Sequence, residues 1–384
     1  MQSTAIFSDL KVIELASVLA GPSVGQFFAE LGAEVIKIEN PETGGDVTRS
    51  WKLASEPTDS DMSAYFMSVN AGKKSVLLNL KKREDIEKLY ALVKTADIVI
   101  ASYKPGDAEN LRVSYADLKA LKPDLIYGHI TGFGLDEDRV GYDAIVQAES
   151  GFVFLNGEKE GVPQKMPVAL TDVLAGHQLK EGLLLALIKR MKSGKGSYVT
   201  VSLMEAAISS LVNQATNWLV AGEVPQRLGS EHPNIAPYGN IFKTADEQWL
   251  MIAVGSDKQF KALCHILDLN GLSQKPEFNT NAARVKNREM LKPLLIAAFL
   301  AHDIDRLCQA FLAADIPYGR VNTMDQVFAT PQGKAMVLQT IKNGLAQNGL
   351  RQAAFRMGEG IYKEWLSTAP HLGSRSIKKP LAGS

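Results

Sequence analysis

The stretch MPVALTDVLAGHQLKEGLLLALIKR (166–190) sets a single carboxylate, Asp172, between a strand-like approach and the start of an apolar helix. An aspartate in that place has two readings. As a helix cap, its oxygens accept first-turn backbone N–H groups and stabilise the helix by about 1 kcal/mol. As a reactive group, it sits where the positive end of the helix favours the ionised form by ~0.3–1 kcal/mol, and only that form is a nucleophile. The two compete, because a carboxylate tied to two amides attacks poorly.

A second constellation is basic. Lys73, Lys74, Lys81, Lys104, Arg112 and Arg139 fall in loops adjoining expected strands, interleaved with Tyr103 and Tyr142. Gathered at one edge of a sheet, such loops build a cationic crevice for a phosphorylated ligand; left apart, they are solvated loop tips. Glu39 ends the second expected strand, where an acid holds a ribose in dinucleotide-binding folds. The first turn, however, reads LAGPSVG, and no G-x-G-x-x-G is present. The histidines (129, 177, 232, 265, 302, 371) include no pair at metal-ligand spacing. Neither G-x-S-x-G nor a P-loop occurs.

The elements that must position these groups follow from the hydrophobic pattern. LKVIELA (10–16), AEVIKIE (33–39), KSVLLNL (74–80), DIVIASY (97–103) and DLIYGHI (124–130) have the length and β-branched content of strands. Helical segments alternate with them, beginning with AGPSVGQFFAELG, so an α/β fold with a mostly parallel, Rossmann-like sheet is expected. After Asp172 come a long helix, the alternating strand SYVTVSL and a helix from Met204 to about Val220. Near Gly222 the texture turns to the Gly- and Pro-rich GEVPQRLGSEHPNIAPYG. A hairpin, GNIFKTADEQWLMIAVG, and three helices follow. The expected division is 1–222 as the first part of a large domain, 225–315 as a smaller α+β domain, and 316–384 as a return segment completing the large one.

Composition narrows the classes. In 384 residues, Lys plus Arg and Asp plus Glu are 42 each, so no global field favours nucleic acid or an anionic membrane. Two cysteines, Cys264 and Cys308, form no metal-ligand spacing and read as reduced thiols. The N-terminal apolar residues are interrupted by Asp9, Lys11 and Glu14, unlike a signal peptide. A soluble, cytoplasmic protein is expected.

Several segments, taken in order, carry a family resemblance. VLAGPSVGQFFAELGAEVIKIENPETGGDVTRSW, VNAGKKSVLLNLK, ITGFG followed by GYDAIVQAESG, ALTDVLAG, SGKGSYVTVSLMEA, HPNIAPYG, FNTNAARVKNREML and IPYGRVNTMDQVFATPQ resemble the class III coenzyme A transferases (CaiB/BaiF type), which include formyl-CoA and carnitine CoA transferases. The resemblance covers about residues 8–345, and its specificity lies in the ordered set. It implies that Asp172 is a nucleophile that forms acyl-anhydride and CoA-thioester intermediates in exchange between an acyl-CoA and a small carboxylic acid. It implies Val18 beside the pantetheine, Leu78 and Lys81 near adenine and phosphates, and Ser102 and Tyr103 on the adjoining loop. Lys104 and Arg139 become candidate phosphate contacts. Coenzyme A is then a substrate, no cofactor is permanently bound, and an interlocked, ring-like homodimer is expected.

The departures from that pattern are specific. Asn40 and Asn110 stand where formyl-CoA transferase carries arginines, with Arg112 the candidate to compensate for the second. Leu19 replaces a substrate-touching glutamine, the segment LDEDRV is short, and no glycine-rich loop surrounds NIAPYG. Formate and oxalate are thereby disfavoured, and a dicarboxylate such as succinate is favoured. The α-methylacyl-CoA racemases share the fold but use the histidine of a G-H-D motif as a base. Here the motif reads Gly141-Tyr142-Asp143, and tyrosine, with an unperturbed pKa near 10, is a poor replacement. A CoA-binding protein without catalysis and an NAD-type enzyme are the remaining alternatives.

Overall fold

The computed structural model describes residues 6–339 and 353–355. The described residues divide into two compact units: one takes in those up to Val146, Val168–Ser210 and those from Pro331, the other Gln147–Pro167 and Leu211–Thr330.

The first unit is built on six parallel strands: β1 (Lys11–Leu15), β2 (Glu34–Glu39), β3 (Lys74–Leu77), β4 (Ile98–Ala101), β5 (Ile126–Thr131) and β6 (Ser197–Ser202). Their order is β3-β2-β1-β4-β5-β6. The sequence dictates which strands are central. IVIA and IYGHIT are buried at every position, as runs covered on both faces must be. KSVL and SYVTVS carry exposed residues and form the two edges. The strand order reverses between β1 and β4, and in open α/β sheets the crevice beyond the strand ends at that point is the usual ligand site. Two connections reach it: the turn from β1 into helix α1 (Ala20–Glu30) and the loop leaving β4. No described helix is long and apolar enough to cross a membrane.

The second unit holds an antiparallel sheet of β7 (Tyr238–Lys243), β8 (Trp249–Ala253) and β9 (Tyr318–Arg320). Helices at Asp257–Ile266, Arg288–Phe299 and Ile304–Ala313 pack on a common core, in which Phe242 and Phe299 stack at 4.2 Å.

This arrangement corrects the expected division in three places. Residues 147–167 and 211–222 group with the second unit rather than the first. IPYGR does not return to the large domain at residue 316, because Tyr318 and Arg320 lie opposite Ile252 and Leu250 of β8. Only from Pro331 does the chain group with the first unit again. The continuous helix expected from Met204 to Val220 is two helices, Leu203–Ser209 and Val212–Ala221, with Val212 at φ 39° where the units divide.

Candidate active site

The turn after β1 is strained. Val18 has φ 70°, a left-handed conformation in which a β-branched residue costs ~1–3 kcal/mol. Asp46 holds it there: the Val18 N–H faces both carboxylate oxygens, at 3.3 and 3.4 Å. Asp46 is in turn fixed by the Thr48 N–H (3.0 Å) and hydroxyl (2.8 Å) and by Lys37 Nζ (2.9 Å). Lys37 also reaches Glu14 Oε1 at 2.9 Å and the Ala16 carbonyl at 2.7 Å. Lys73 closes the group on Glu14 Oε2 at 2.7 Å. Four buried charges, two of each sign, thus form the floor beneath the turn, and none is left without an opposite partner.

Asp172 enters from the long helix Leu170–Ser193. It is the third helical residue, not the cap; Ala169 holds the cap position, with no side-chain cap bond. Its carboxylate accepts no hydrogen bond from any described residue, and the residue is 8 % exposed. The capping role therefore does not apply. Burial, and secondarily the nearby charge of Asp143, push its pKa up to about 7. This corrects the expectation that the helix end keeps the group readily ionised: loss of hydration and a like charge outweigh a dipole effect of ~0.3–1 kcal/mol. Asp143 lies beside it because its Oδ1 accepts both the Thr171 N–H and hydroxyl, each at 2.8 Å.

Asp172 lines a cleft of about 380 Å³ together with Val18, Leu19, Lys104, Arg139 and Tyr142. A second cleft, of about 420 Å³, is lined by Leu78, Lys81 and Asn40. Ser17, Val47, Ser102 and Tyr103 line both, so the two are parts of one crevice across the β1/β4 reversal. Of the basic residues read from the sequence, Lys81, Lys104 and Arg139 reach it. Arg139 lies over the Phe133 ring at 3.8 Å and pairs with Glu137. Arg112 lines neither cleft: it is exposed, and its carbonyl accepts the Tyr90 hydroxyl at 2.9 Å. Lys73 belongs to the buried floor, and Lys74 pairs with Glu34 at 2.7 Å on the surface.

The cleft that Asp172 lines is also lined by two glycines in close approach. A Cβ on Gly141 would lie 2.2 Å from the Gly132 Cα, and one on Gly132 would lie 2.5 Å from the Gly141 Cα. Backbone meets backbone there, with no flexible side chain to yield. Gly141→Ala is expected to cost about 2 kcal/mol of unfolding free energy, read by urea denaturation.

Sequence reasoning missed the buried floor, although a signal existed. Glu14 and Lys37 interrupt apolar strands and lie directly opposite one another in the β1–β2 register. It also missed Tyr65, whose phenol is pushed up by burial and then by the charges of Asp172, Asp143 and Asp46. Both oxygens of Glu39 are engaged within the protein. Burial opposes its ionisation, but the Arg49 fork at 2.7 Å on each oxygen, Ser75 and the Asp46 N–H bring its pKa to about 2. His129 is not a substitute base: Nε2 lies 2.8 Å from the Tyr103 carbonyl and Nδ1 2.9 Å from the Tyr198 hydroxyl.

Residues 7–376 match the family described as CoA-transferase family III. The chain belongs to this family. It is similar to the succinate–glutarate CoA-transferase of Agrobacterium fabrum, at 39 % identity over 86 % of this chain and 84 % of that protein. The human succinyl-CoA:glutarate CoA-transferase is 34 % identical over 86 % of this chain and 75 % of its own length. A solved structure of a CAIB/BAIF family protein from Brucella suis matches with a TM-score of 0.77 and 36 % identity, covering 93 % of this chain and 98 % of that one. This CoA transferase is accordingly an enzyme that exchanges CoA between an acyl-CoA and an acid.

Proposed function

We propose that this CoA transferase moves coenzyme A between dicarboxylic acids of the succinate–glutarate class through covalent intermediates on Asp172. The observation that carries the reading is the Asp172 carboxylate itself, unbonded and nine-tenths buried in a cleft that continues past Lys81 and Lys104. CoA would lie along the crevice, with its nucleotide near Leu78 and Lys81, its pantetheine passing Val18, Ser102 and Tyr103, and its thioester at Asp172.

The ionised Asp172 oxygen attacks the donor thioester carbonyl, and the CoA thiolate leaves, giving an acyl-aspartyl anhydride. The thiolate then attacks the aspartyl carbonyl, freeing the donor acid and forming an aspartyl-CoA thioester. The acceptor carboxylate attacks that thioester and displaces the thiolate, and a new anhydride forms. Attack by the thiolate on its acyl carbonyl releases the product and restores Asp172. Each step exchanges one activated acyl group for another. Leu19 and Ala20, at the cap and first position of α1, line the Asp172 cleft with N–H groups that lack intrahelical acceptors. They are suitable donors to the tetrahedral oxyanions.

Incubation with succinyl-CoA and hydroxylamine is expected to yield an aspartyl hydroxamate at residue 172, read by mass spectrometry. A panel of succinyl-CoA and glutaryl-CoA against succinate, glutarate, oxalate and formate is expected to show fastest exchange between the two longer diacids. Fastest exchange with formate or oxalate would overturn the substrate class while leaving the aspartyl chemistry standing.

The same reading includes an interlocked homodimer. The helix Val212–Ala221 buries no residue, and Trp218, Leu219 and Val220 are all exposed. A second copy of this chain is the proposed cover. Light scattering is expected to give the mass of two chains.

A further inference from the structure

His129 meets the crevice only through the backbone. It lies within β5, 5 % exposed, with both ring nitrogens engaged. A carbonyl oxygen accepts and never donates, so the 2.8 Å contact with Tyr103 requires a proton on Nε2. Burial lowers the pKa of the ring and favours the neutral form. Nδ1 is then the acceptor and the Tyr198 hydroxyl the donor, at 2.9 Å. Tyr198, on the edge strand β6, stacks on Tyr115 at 5.0 Å with the planes 10° apart. The tautomer of His129 is therefore set by the Tyr103 carbonyl, and the Tyr198 hydroxyl at the sheet edge completes it.

What this ring holds matters more than the ring itself. β4 ends at Ala101, and Ser102, Tyr103 and Lys104 follow as irregular chain. Ser102 and Tyr103 line both clefts, and Lys104 lines the Asp172 cleft. Beyond the Ser102 N–H, at 3.3 Å from the Leu15 carbonyl, the His129 bond ties this segment to the sheet. We infer that His129 is a positioning residue for CoA transfer: its Nε2–H fixes the Tyr103 carbonyl and thereby the height of the Ser102–Lys104 loop along the crevice. The inference rests on the proposed placement of CoA in that crevice.

The test compares His129→Gln with His129→Asn. A glutamine amide nitrogen reaches the place of Nε2 and keeps the bond to Tyr103; the shorter asparagine does not. His129→Asn is expected to raise KM for succinyl-CoA about tenfold, the worth of one such bond, with kcat within about twofold. His129→Gln is expected to keep KM within about threefold of the parent. In the parent enzyme, ¹⁵N shifts should show Nε2 protonated and Nδ1 bare. Equal KM values for the two variants, or a loss confined to kcat, would overturn the inference. Lys104→Ala separates the two levels. If it raises KM and His129→Asn does not, the positioning role fails alone. If neither moves KM, the crevice reading fails and the inference falls with it.

Discussion

Asp172→Ala is expected to lower kcat for CoA exchange by ~10⁴-fold or more, the scale on which loss of a covalent nucleophile is felt. Asp172→Asn should do the same, since an amide keeps the shape and loses the nucleophile. The asparagine variant carries a second expectation, of opposite sign. The carboxyl is raised to about 7 in the folded protein, against ~3.9 for an unperturbed aspartate. Between those values the native state binds a proton that the unfolded chain does not, so this group's contribution to stability falls as pH rises through the interval. At pH 8 the buried, charged Asp172 therefore costs stability. Removing the charge is expected to raise the thermal midpoint by several degrees, read by calorimetry at pH 8. A variant that lost activity and also melted lower would mean that the carboxylate supports the fold instead.

The pH profile should carry the same group. Only ionised Asp172 attacks, so kcat/KM for the acyl-CoA is expected to fall tenfold per pH unit below about 7. At pH 5 that is a loss of ~100-fold relative to the plateau. Asp143→Asn tests the cause, because asparagine keeps an oxygen for the Thr171 N–H and hydroxyl while deleting the like charge. Its acid limb is expected to move to lower pH. The limb should not vanish, since burial is the larger influence on Asp172. An unmoved limb in Asp143→Asn would leave burial as the sole cause of the raised pKa. A flat profile from pH 5 to 8 would count against Asp172 as the attacking group.

The central strands were legible because burial on both faces demands short apolar runs such as DIVIASY and DLIYGHI, whose length and β-branched content separate them from buried helix. Asp172 was legible as a candidate, but its place within the helix was not. Cap and third helical residue differ by one turn of register, and TDV carries no signal that separates them. Its ionisation was read with the wrong sign, because burial by the surrounding fold, the larger cause, has no local signal, and the second cause, Asp143, is 29 positions away in the chain. Arg112 was misread for a related reason: loop position fixes which end of the sheet a residue is near, not which way its side chain turns. β9 escaped because three residues carry no periodicity, and only pairing with β8 defines it.

The contact between Gly132 and Gly141 reaches beyond stability. It closes residues 133–140 into a loop whose two ends are clamped together independently of what lies between them. For a loop closed in this way, doubling its length costs only ~0.6 kcal/mol. Evolution can therefore lengthen or shorten this part of the rim, which includes Arg139 and Val140, while Asp143 and Thr171 stay in register. The rim of the crevice and the nucleophile can thus change separately, and an insertion there leaves Asp172 and its neighbours in place.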